Sequence, residues 1–81
     1  MDNYLGTVIL FAGTWAPQNW KLCNGQLLPI QGYQALYSIF GNQFGGDGKT
    51  TFALPDLRST QPAGMSYIIC VNGYFPQRAD S

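Results

Sequence analysis

The hydrophobic pattern of the chain is strongest in two segments that carry apolar side chains at almost every position. Residues 6–13 read GTVILFAG, and residues 65–72 read MSYIICVN between two glycines. Successive side chains of a strand face opposite sides of a sheet, so this pattern is typical of a strand covered on both faces. We therefore predict that each segment forms a strand, in the middle of a sheet or at a subunit interface.

A hairpin is predicted between these two strands. Residues 20–29 contain Asn24 and Gly25 between two apolar runs. This dipeptide is the strongest short signal for a tight β-hairpin, because both residues tolerate a positive φ. We therefore expect the two halves of this segment to pair with each other.

One short helix is predicted in the middle of the chain. Residues 31–40 place aromatic and aliphatic residues at helical spacing, and Gly41 follows as a stop signal. A glycine-rich loop at residues 42–49 then leads to a short edge strand, in which Phe52 and Leu54 share one face. Together these elements predict a small α+β domain, mostly β, with one short helix and a closing C-terminal strand.

The composition predicts a globular chain with a small core and a weakly charged surface. Apolar residues make up 46% of the 81 residues, which is too many for a disordered tail. Charged residues make up only 10%, and the four basic and four acidic residues cancel. Copies of such a chain repel one another weakly. We predict a single domain over residues 1–81.

The charge pattern argues against nucleic acid and against a membrane. Binding to phosphates requires clustered basic residues, whereas those of this chain are scattered at Lys21, Lys49, Arg58 and Arg78. The apolar runs are far shorter than the ~20 residues that span a bilayer, and no signal peptide is visible at residues 1–4. The sequence therefore predicts neither a nucleic-acid partner nor membrane insertion, and leaves the export route open.

The ionisable residues do not assemble into a catalytic or metal-binding pattern. The chain has no histidine, and its only acids are Asp2, Asp47, Asp56 and Asp80. Acid–base or nucleophilic catalysis needs a base beside a nucleophile, or two carboxylates in one cleft. Residues 45–50 resemble a phosphate-binding loop, but the required spacing of glycines is absent and a strand follows instead of a helix. We predict that the chain is not an enzyme and has no metal or cofactor.

The two cysteines, Cys23 and Cys70, each lie in an apolar strand-like segment. One interpretation is a pair of buried small hydrophobic residues. The other is a disulfide between two distant strands, which would stabilise the fold by about 4 kcal/mol through loop closure. The sequence leaves both alternatives open.

Two further groups of side chains have a structural and a functional interpretation. Asp56 follows Pro55, so we expect its carboxylate to accept backbone N–H bonds in a turn and Arg58 to pair with a carboxylate. Trp15, Trp20, Tyr33 and Tyr74 are aromatic residues that could stack on sugar rings. In a small apolar domain such residues more often pack in the core or between subunits.

The order of these motifs resembles the phage tail-collar domain, which also occurs in the bacterial microcystin-dependent proteins. The blocks that carry the resemblance are GTVILFAG at 6–13, APQNW at 16–20, LCNGQLLPI at 22–30, QALYSIFG at 34–41 and FGGDGKTTFALPDLR at 44–58. Within them, Asn24, Gly25, Pro55, Asp56 and Arg58 form the motif to which we assign a structural role. Residues 65–78 are similar to the strand and tail that close longer members.

The resemblance also shows what this chain lacks. Longer members carry a long variable region between the collar motif at 6–58 and the closing strand, and here only the short linker at 59–64 occupies that place. The distal trimeric part of short tail fibres, which holds metal-binding histidines, has no counterpart, so its metal and receptor binding are not expected here. The resemblance implies a fibre or baseplate building block that self-associates, often as a trimer.

We therefore predict a structural self-assembling module of a phage-tail-like fibre or an extracellular filament. Copies of the chain are its expected partner, with a filament favoured over a trimer, and other fibre or baseplate proteins are further candidates. The alternative is a carbohydrate-binding or host-recognition module that docks on a larger fibre. Subunit contacts are predicted in the two apolar strands and the tail, at Val8, Leu10, Tyr67, Ile69, Val71, Tyr74 and Phe75.

Overall fold

Two antiparallel sheets and one helix make up the fold in the computed structural model, which describes residues 3–77. The elements in chain order are β1 (Val8–Phe11), β2 (Trp20–Leu22), β3 (Leu27–Pro29), α1 (Gln34–Phe40), β4 (Thr51–Ala53), a 3-10 helix (Arg58–Thr60) and β5 (Ser66–Cys70). The predicted α+β architecture, mostly strands with one short helix, is confirmed. Of the charged residues considered above, Asp2, Arg78 and Asp80 lie outside the described residues.

The C-terminal strand β5 is the centre of the three-stranded sheet, in the order β1-β5-β2. It pairs antiparallel with both neighbours, so that Ile68 lies opposite Ile9 of β1 and Leu22 of β2. Four of its five residues are buried, and Tyr67 is half-buried. The prediction of a strand covered on both faces is therefore right for β5.

Strand β1 is not covered on both faces within the described chain, so the first of the two predicted positions, the middle of a sheet, is wrong for it. This strand is an edge of the sheet, and Val8, Ile9 and Leu10 are about two-fifths exposed, at 39%, 42% and 39%. Val8 and Leu10 on one face and Ile9 on the other are all exposed, so neither face of β1 is fully covered within the described chain. The alternative given by the sequence, a strand at an interface, thus stays open for β1.

The hairpin predicted at Asn24 and Gly25 does not form. Strand β2 pairs with β5 and strand β3 pairs with β4, so the two halves of the segment belong to different sheets. Gly25 has a φ of 79°, but Asn24 has no positive φ, whereas the expected turn requires one at both positions. An isolated two-stranded hairpin is only marginally stable, whereas here β2 joins a three-stranded sheet and the central residue of β3, Leu28, enters the core.

The core lies between the three-stranded sheet, the β3–β4 pair and the helix, with Phe52 of β4 at its centre. Phe52 is fully buried, and its ring contacts those of Tyr37 and Phe40 of α1 at centroid distances of 5.4 and 5.8 Å. The core residues are Leu5, Cys23, Leu28, Leu36, Phe52, Leu54, Ile69 and Val71. Helix α1 ends at Gly41, whose φ is 61° and whose N–H donates to the carbonyl of Tyr37 at 2.7 Å.

Candidate assembly surface

The five motif residues meet at one junction between the two sheets. Asn24 forms an isolated antiparallel bridge with Asp56, and the N–H of Gly25 donates to the carbonyl of Pro55 at 3.3 Å. Arg58 donates to Asp56 three times, from its backbone N–H at 3.2 Å, Nε at 2.9 Å and a terminal guanidinium nitrogen at 2.7 Å. These hydrogen bonds from Arg58 lower the pKa of Asp56 to about 2. The motif therefore ties the connectors of the two sheets together.

Sequence reasoning missed the role of Asp47, which organises the glycine-rich loop. Its carboxylate accepts from the N–H groups of Thr51, Lys49 and Thr50 at 3.0, 2.8 and 2.9 Å, and from the Thr50 hydroxyl at 3.0 Å. These bonds hold the pKa of Asp47 well below its usual range, and the bond from the N–H of Thr51 has the largest effect. The signal in the sequence was an Asp followed by Gly and two Thr residues, a pattern that favours such side-chain-to-backbone turns.

The structure holds both cysteines as free, buried thiols on opposite sides of β5. Cys23 belongs to the core cluster together with Ile69 and Val71, which alternate with Cys70 along the chain. Cys70 therefore points to the other face of the sheet, because successive side chains of a strand alternate. Burial raises the pKa of Cys23 to about 11 and also raises the pKa of Cys70. A disulfide between them would have to pass through the sheet.

The predicted contact residues divide into two groups by burial. Ile69 and Val71 are 2% and 6% exposed and belong to the core, so the prediction that they contact other subunits is corrected. Tyr67 is half-buried against that core. The remaining four predicted contacts, Val8, Leu10, Tyr74 and Phe75, are exposed.

Exposed apolar side chains form a band along β1 and beyond both of its ends. Next to the start of the strand, Tyr4 bridges Tyr74, with their rings 6.4 Å apart. Next to its end, Trp15 stands edge-on against Phe11 at 5.2 Å and is 62% exposed. We call this surface the β1 band; its exposed residues are Tyr4, Val8, Ile9, Leu10, Trp15, Tyr74 and Phe75. Exposed large apolar residues grouped in this way are typical of an interaction site.

The aromatic residues considered for sugar stacking do not form one platform. Trp15 lies at the Phe11 end of the sheet and Tyr74 at the opposite end, beyond Cys70. Trp20 and Tyr33 are half-buried. Tyr4 and residues 74–77 line an open depression of about 660 Å³, and none of these described residues carries a carboxylate, amine or thiol.

The β1 band is free of charge. Within the described residues, the charged side chains of the chain are Lys21, Asp47, Lys49, Asp56 and Arg58, and all of them lie between positions 21 and 58. Residues 3–20 and 59–77, which supply β1 and β5, contain none. Natural sheets protect exposed edges with Lys and other charges, so the edge at β1 lacks that protection.

The backbone of β1 presents unpaired hydrogen-bonding groups at this edge. The N–H of Cys70 donates to the carbonyl of Thr7 at 2.9 Å, which makes the odd-numbered residues of β1 the ones that face β5. Antiparallel ladders alternate, so the N–H and C=O groups of Val8 and Leu10 point away from the sheet. Among residues 3–77, these outward groups have no partner.

The other edge of the same sheet, at β2, is protected. Its outward residues are Trp20 and Leu22, because the flanking pairs join Val71 to Asn19 and Cys23 to Tyr67. The N–H of Trp20 donates to the carbonyl of Pro17 at 3.1 Å, and the Gln26 amide donates to the carbonyl of Leu22 at 3.0 Å. Strand β2 also carries Lys21. The two edges thus differ in both charge and hydrogen bonding.

The turn that starts β1 fixes this geometry. The N–H of Thr7 donates to the carbonyl of Tyr4 at 3.2 Å, and Gly6, the third residue of the turn, has a φ of 85°. The N–H of Gly6 also donates to the carbonyl of Cys70 at 3.0 Å, so two residues of the N-terminal segment oppose one of β5, as in a G1 bulge. This bulge ends the pairing between β1 and β5, and the residues before it, Tyr4 and Leu5, lie beside Tyr74.

The family model of the Phage Tail Collar Domain matches residues 6–62, which is more than half of the chain. The chain belongs to the phage tail collar domain family. No curated protein matches it. The matched region includes β1, the junction at Asn24 and Asp56 and the loop organised by Asp47, whereas β5 lies beyond it. The microcystin-dependent subtype stays a prediction.

Membership of the tail collar family gives the chain a structural role in a phage tail fibre and makes it a virion-associated component. Collar domains are structural modules of phage tails and are not an enzyme family. In the described part of the chain, no group of three or more His, Cys, Asp or Glu residues is placed to hold a metal ion. No helix within residues 3–77 is long and apolar enough to cross a membrane.

Proposed function

We propose that this collar domain is a self-assembling structural module of a phage-tail-like fibre or filament, and that the β1 band is its subunit contact. The observation that carries the proposal is the exposure of apolar residues on both faces of an unprotected sheet edge. Burying such surface is the main driving force for association, at about 25 cal/mol per Å² of apolar area. The absence of charge on residues 3–20 removes electrostatic repulsion between copies.

The symmetry of the contact between copies determines whether assembly stops at a fixed number of copies or continues into a filament. A head-to-tail contact that does not close grows into a filament, whereas an isologous or cyclic contact gives a dimer or trimer. The sequence favoured a filament over a trimer, and neighbouring fibre or baseplate proteins are further partners under this proposal. A filament requires a second contact surface besides the β1 band, for which the exposed Phe44 of the glycine-rich loop is a candidate.

Light scattering and negative-stain electron microscopy of the purified chain test the proposal. We expect oligomers or filaments, and we expect Ile9→Lys to shift the chain toward its monomer mass of 8.9 kDa. Leu27→Lys is the matched control, because Leu27 is also an exposed strand residue but lies outside the β1 band. A wild-type chain that stays monomeric up to millimolar concentration would contradict self-assembly.

Carbohydrate binding is the second candidate function, and the observation that favours it is the exposed indole of Trp15. Aromatic rings that are open to solvent can stack on sugar rings, and Gln18 and Asn19 in the same loop are polar. Trp15→Ala separates the two functions when glycan-array binding is measured beside oligomer mass. Loss of glycan binding with unchanged oligomer mass would favour recognition, and the reverse would favour assembly.

A further inference from the structure

The free edge of β1 is complementary to a second copy of itself. Val8 and Leu10 each offer one outward N–H and one outward C=O, and Ile9 lies between them. When two such edges meet in antiparallel orientation, Val8 of each copy can lie opposite Leu10 of the other. Both pairs are then hydrogen-bonded pairs, because an outward residue meets an outward residue in each.

We infer that the β1 strands of two copies pair antiparallel across a two-fold axis that passes beside Ile9, which joins the two three-stranded sheets into one. This inference rests on the proposed self-assembly and specifies its contact. A two-fold axis places Ile9 against Ile9 of the second copy. This central pair is not hydrogen-bonded, so its side chains approach more closely than those of the flanking pairs.

The flanks of the β1 band extend this contact. Antiparallel pairing brings the Trp15 end of each copy to the Tyr4 end of the other. A stable interface needs about 1,000 Å² of buried surface, which a strand of four residues cannot supply alone. Tyr4, Trp15 and Tyr74 are more than half exposed and add area on both sides of the axis. Aromatic residues are enriched in the centres of interfaces for this reason.

A second copy fits this edge better than a charged partner or an unrelated strand. No charged residue lies within positions 3–20 to select a partner of opposite charge. The order of donors and acceptors is self-complementary, and the apolar side chains on both faces find identical apolar side chains opposite. The edge at β2 competes less well for pairing, since the strand carries Lys21 and its outward Trp20 N–H and Leu22 carbonyl are already bonded to Pro17 and Gln26.

Cysteine cross-linking tests the register. Ile9→Cys places two thiols in a pair whose Cα atoms lie about 4.5 Å apart, within the range of about 4.4 to 6.8 Å that a disulfide accepts. We expect most of this variant to form a disulfide-linked dimer when diamide is the oxidant. Cross-linking of the wild-type chain measures the background from the buried native thiols, Cys23 and Cys70. Leu27→Cys is the control for an exposed thiol outside the β1 band.

Two further cysteine variants fix the register independently. Val8→Cys alone and Leu10→Cys alone should cross-link poorly, because each thiol meets its own copy only along a diagonal of about 7–8 Å. A mixture of the two variants should give a cross-linked heterodimer. Stronger cross-linking of either single variant than of Ile9→Cys would overturn the register, and cross-linking of Ile9→Cys no faster than Leu27→Cys would overturn the contact.

Proline variants test the hydrogen bonds of the edge. Leu10→Pro removes an N–H that points to the second copy, and proline is tolerated in an edge strand at such a position. We expect the dissociation constant of the pair to rise at least about tenfold while the fold persists. Ile9→Pro removes an N–H that faces β5 and should instead lower the melting temperature of the monomer. An unchanged dissociation constant for Leu10→Pro, with normal circular dichroism, would contradict the inference.

Different experimental results would contradict this inference and the proposed function. If the wild-type chain forms oligomers but Ile9→Cys does not cross-link above the control, assembly stands and the β1 pairing is wrong. If sedimentation shows only monomers of the wild-type chain, the proposed function fails together with the pairing.

Discussion

Strands β1 and β5 are neighbours in one sheet and have the same hydrophobic pattern, yet their environments are opposite. The side chains of Ile9 and Ile68 lie directly opposite each other, and they are 42% and 0% exposed. Strand β5 is covered by β1 and β2 at its edges and by the core on one face, whereas β1 has a neighbour at one edge only. A run of apolar residues thus indicates that a strand needs cover on both faces, and it does not indicate whether the cover comes from the same chain.

The largest expected effect comes from truncating the two facing isoleucines. Ile68→Ala removes a fully buried side chain and should lower the free energy of unfolding by about 2–5 kcal/mol. Ile9→Ala in the monomer should cost less than about 1 kcal/mol, because much of the side chain is already in water. Urea denaturation at a concentration where the chain is monomeric measures both. Equal losses would show that β1 is covered within the chain and that the two strands do not differ in environment.

A smaller effect is expected from the turn that starts β1. Gly6→Ala forces a residue with a Cβ into a φ of 85°, which should cost about 1–2 kcal/mol although the added Cβ would meet Ile39 only at an ordinary contact distance of 3.7 Å. Because the turn holds β1 against β5 at the Cys70 end, amide exchange of Ile9 should accelerate more than that of Ile69. Gly32→Ala is the control, since this glycine has no positive φ and no close neighbour. Equal destabilisation by the two variants would argue against strain at Gly6.

The smallest effect is expected from pH, and it separates the segment at residues 21–58, which contains the charged residues, from the uncharged strands β1 and β5. Asp47 and Asp56 have folded-state pKa values below the unfolded value of about 3.9. Their stabilisation is therefore complete above about pH 4 and is lost as the pH falls to about 2 and below. Both carboxylates are exposed, so solvent weakens the effect.

The melting temperature between pH 2 and 5 measures this dependence. Asp47→Asn cannot titrate and should give a flatter curve, whereas Lys21→Gln should leave the slope unchanged. Association through β1 should not depend on pH from 5 to 8, because no charged residue lies in residues 3–20. A strong pH dependence of oligomer mass in that range would show that charged groups take part in the contact.

Local signals in the sequence were sufficient for several elements. The helical spacing and Gly41 predicted α1, and the alternation of Phe52 with Leu54 predicted two side chains that are both fully buried. The hairpin at Asn24 and Gly25 failed because the pairing partners of β2 and β3 come from distant segments, which outweighed a strong local turn signal. Contacts of this kind depend on the burial of all the strands together and leave no local trace.

The residues of the β1 band were likewise predicted only in part from the sequence. Sequence pattern alone selected Val8, Leu10, Tyr74 and Phe75, but it also selected Ile69 and Val71, which the core buries. Trp15 and Tyr4 join the exposed surface only because the fold brings them to the two ends of β1. The role of Asp47 was missed, since its four hydrogen bonds depend on how the loop turns back toward β4.

The amino-acid sequence alone was sufficient to predict the family, the α+β class, the weak charge of the surface and the presence of two strands that require cover on both faces. The family follows from the resemblance of its ordered motifs, and the other properties follow from composition and local periodicity, which do not depend on contacts between distant residues. Tertiary structure decided that β5 is central and β1 is an edge, that Asn24 joins Asp56, and that the uncharged segments share one sheet. The physical reason is that strand order depends on which arrangement buries the most apolar surface for the whole chain, a quantity that no local segment contains.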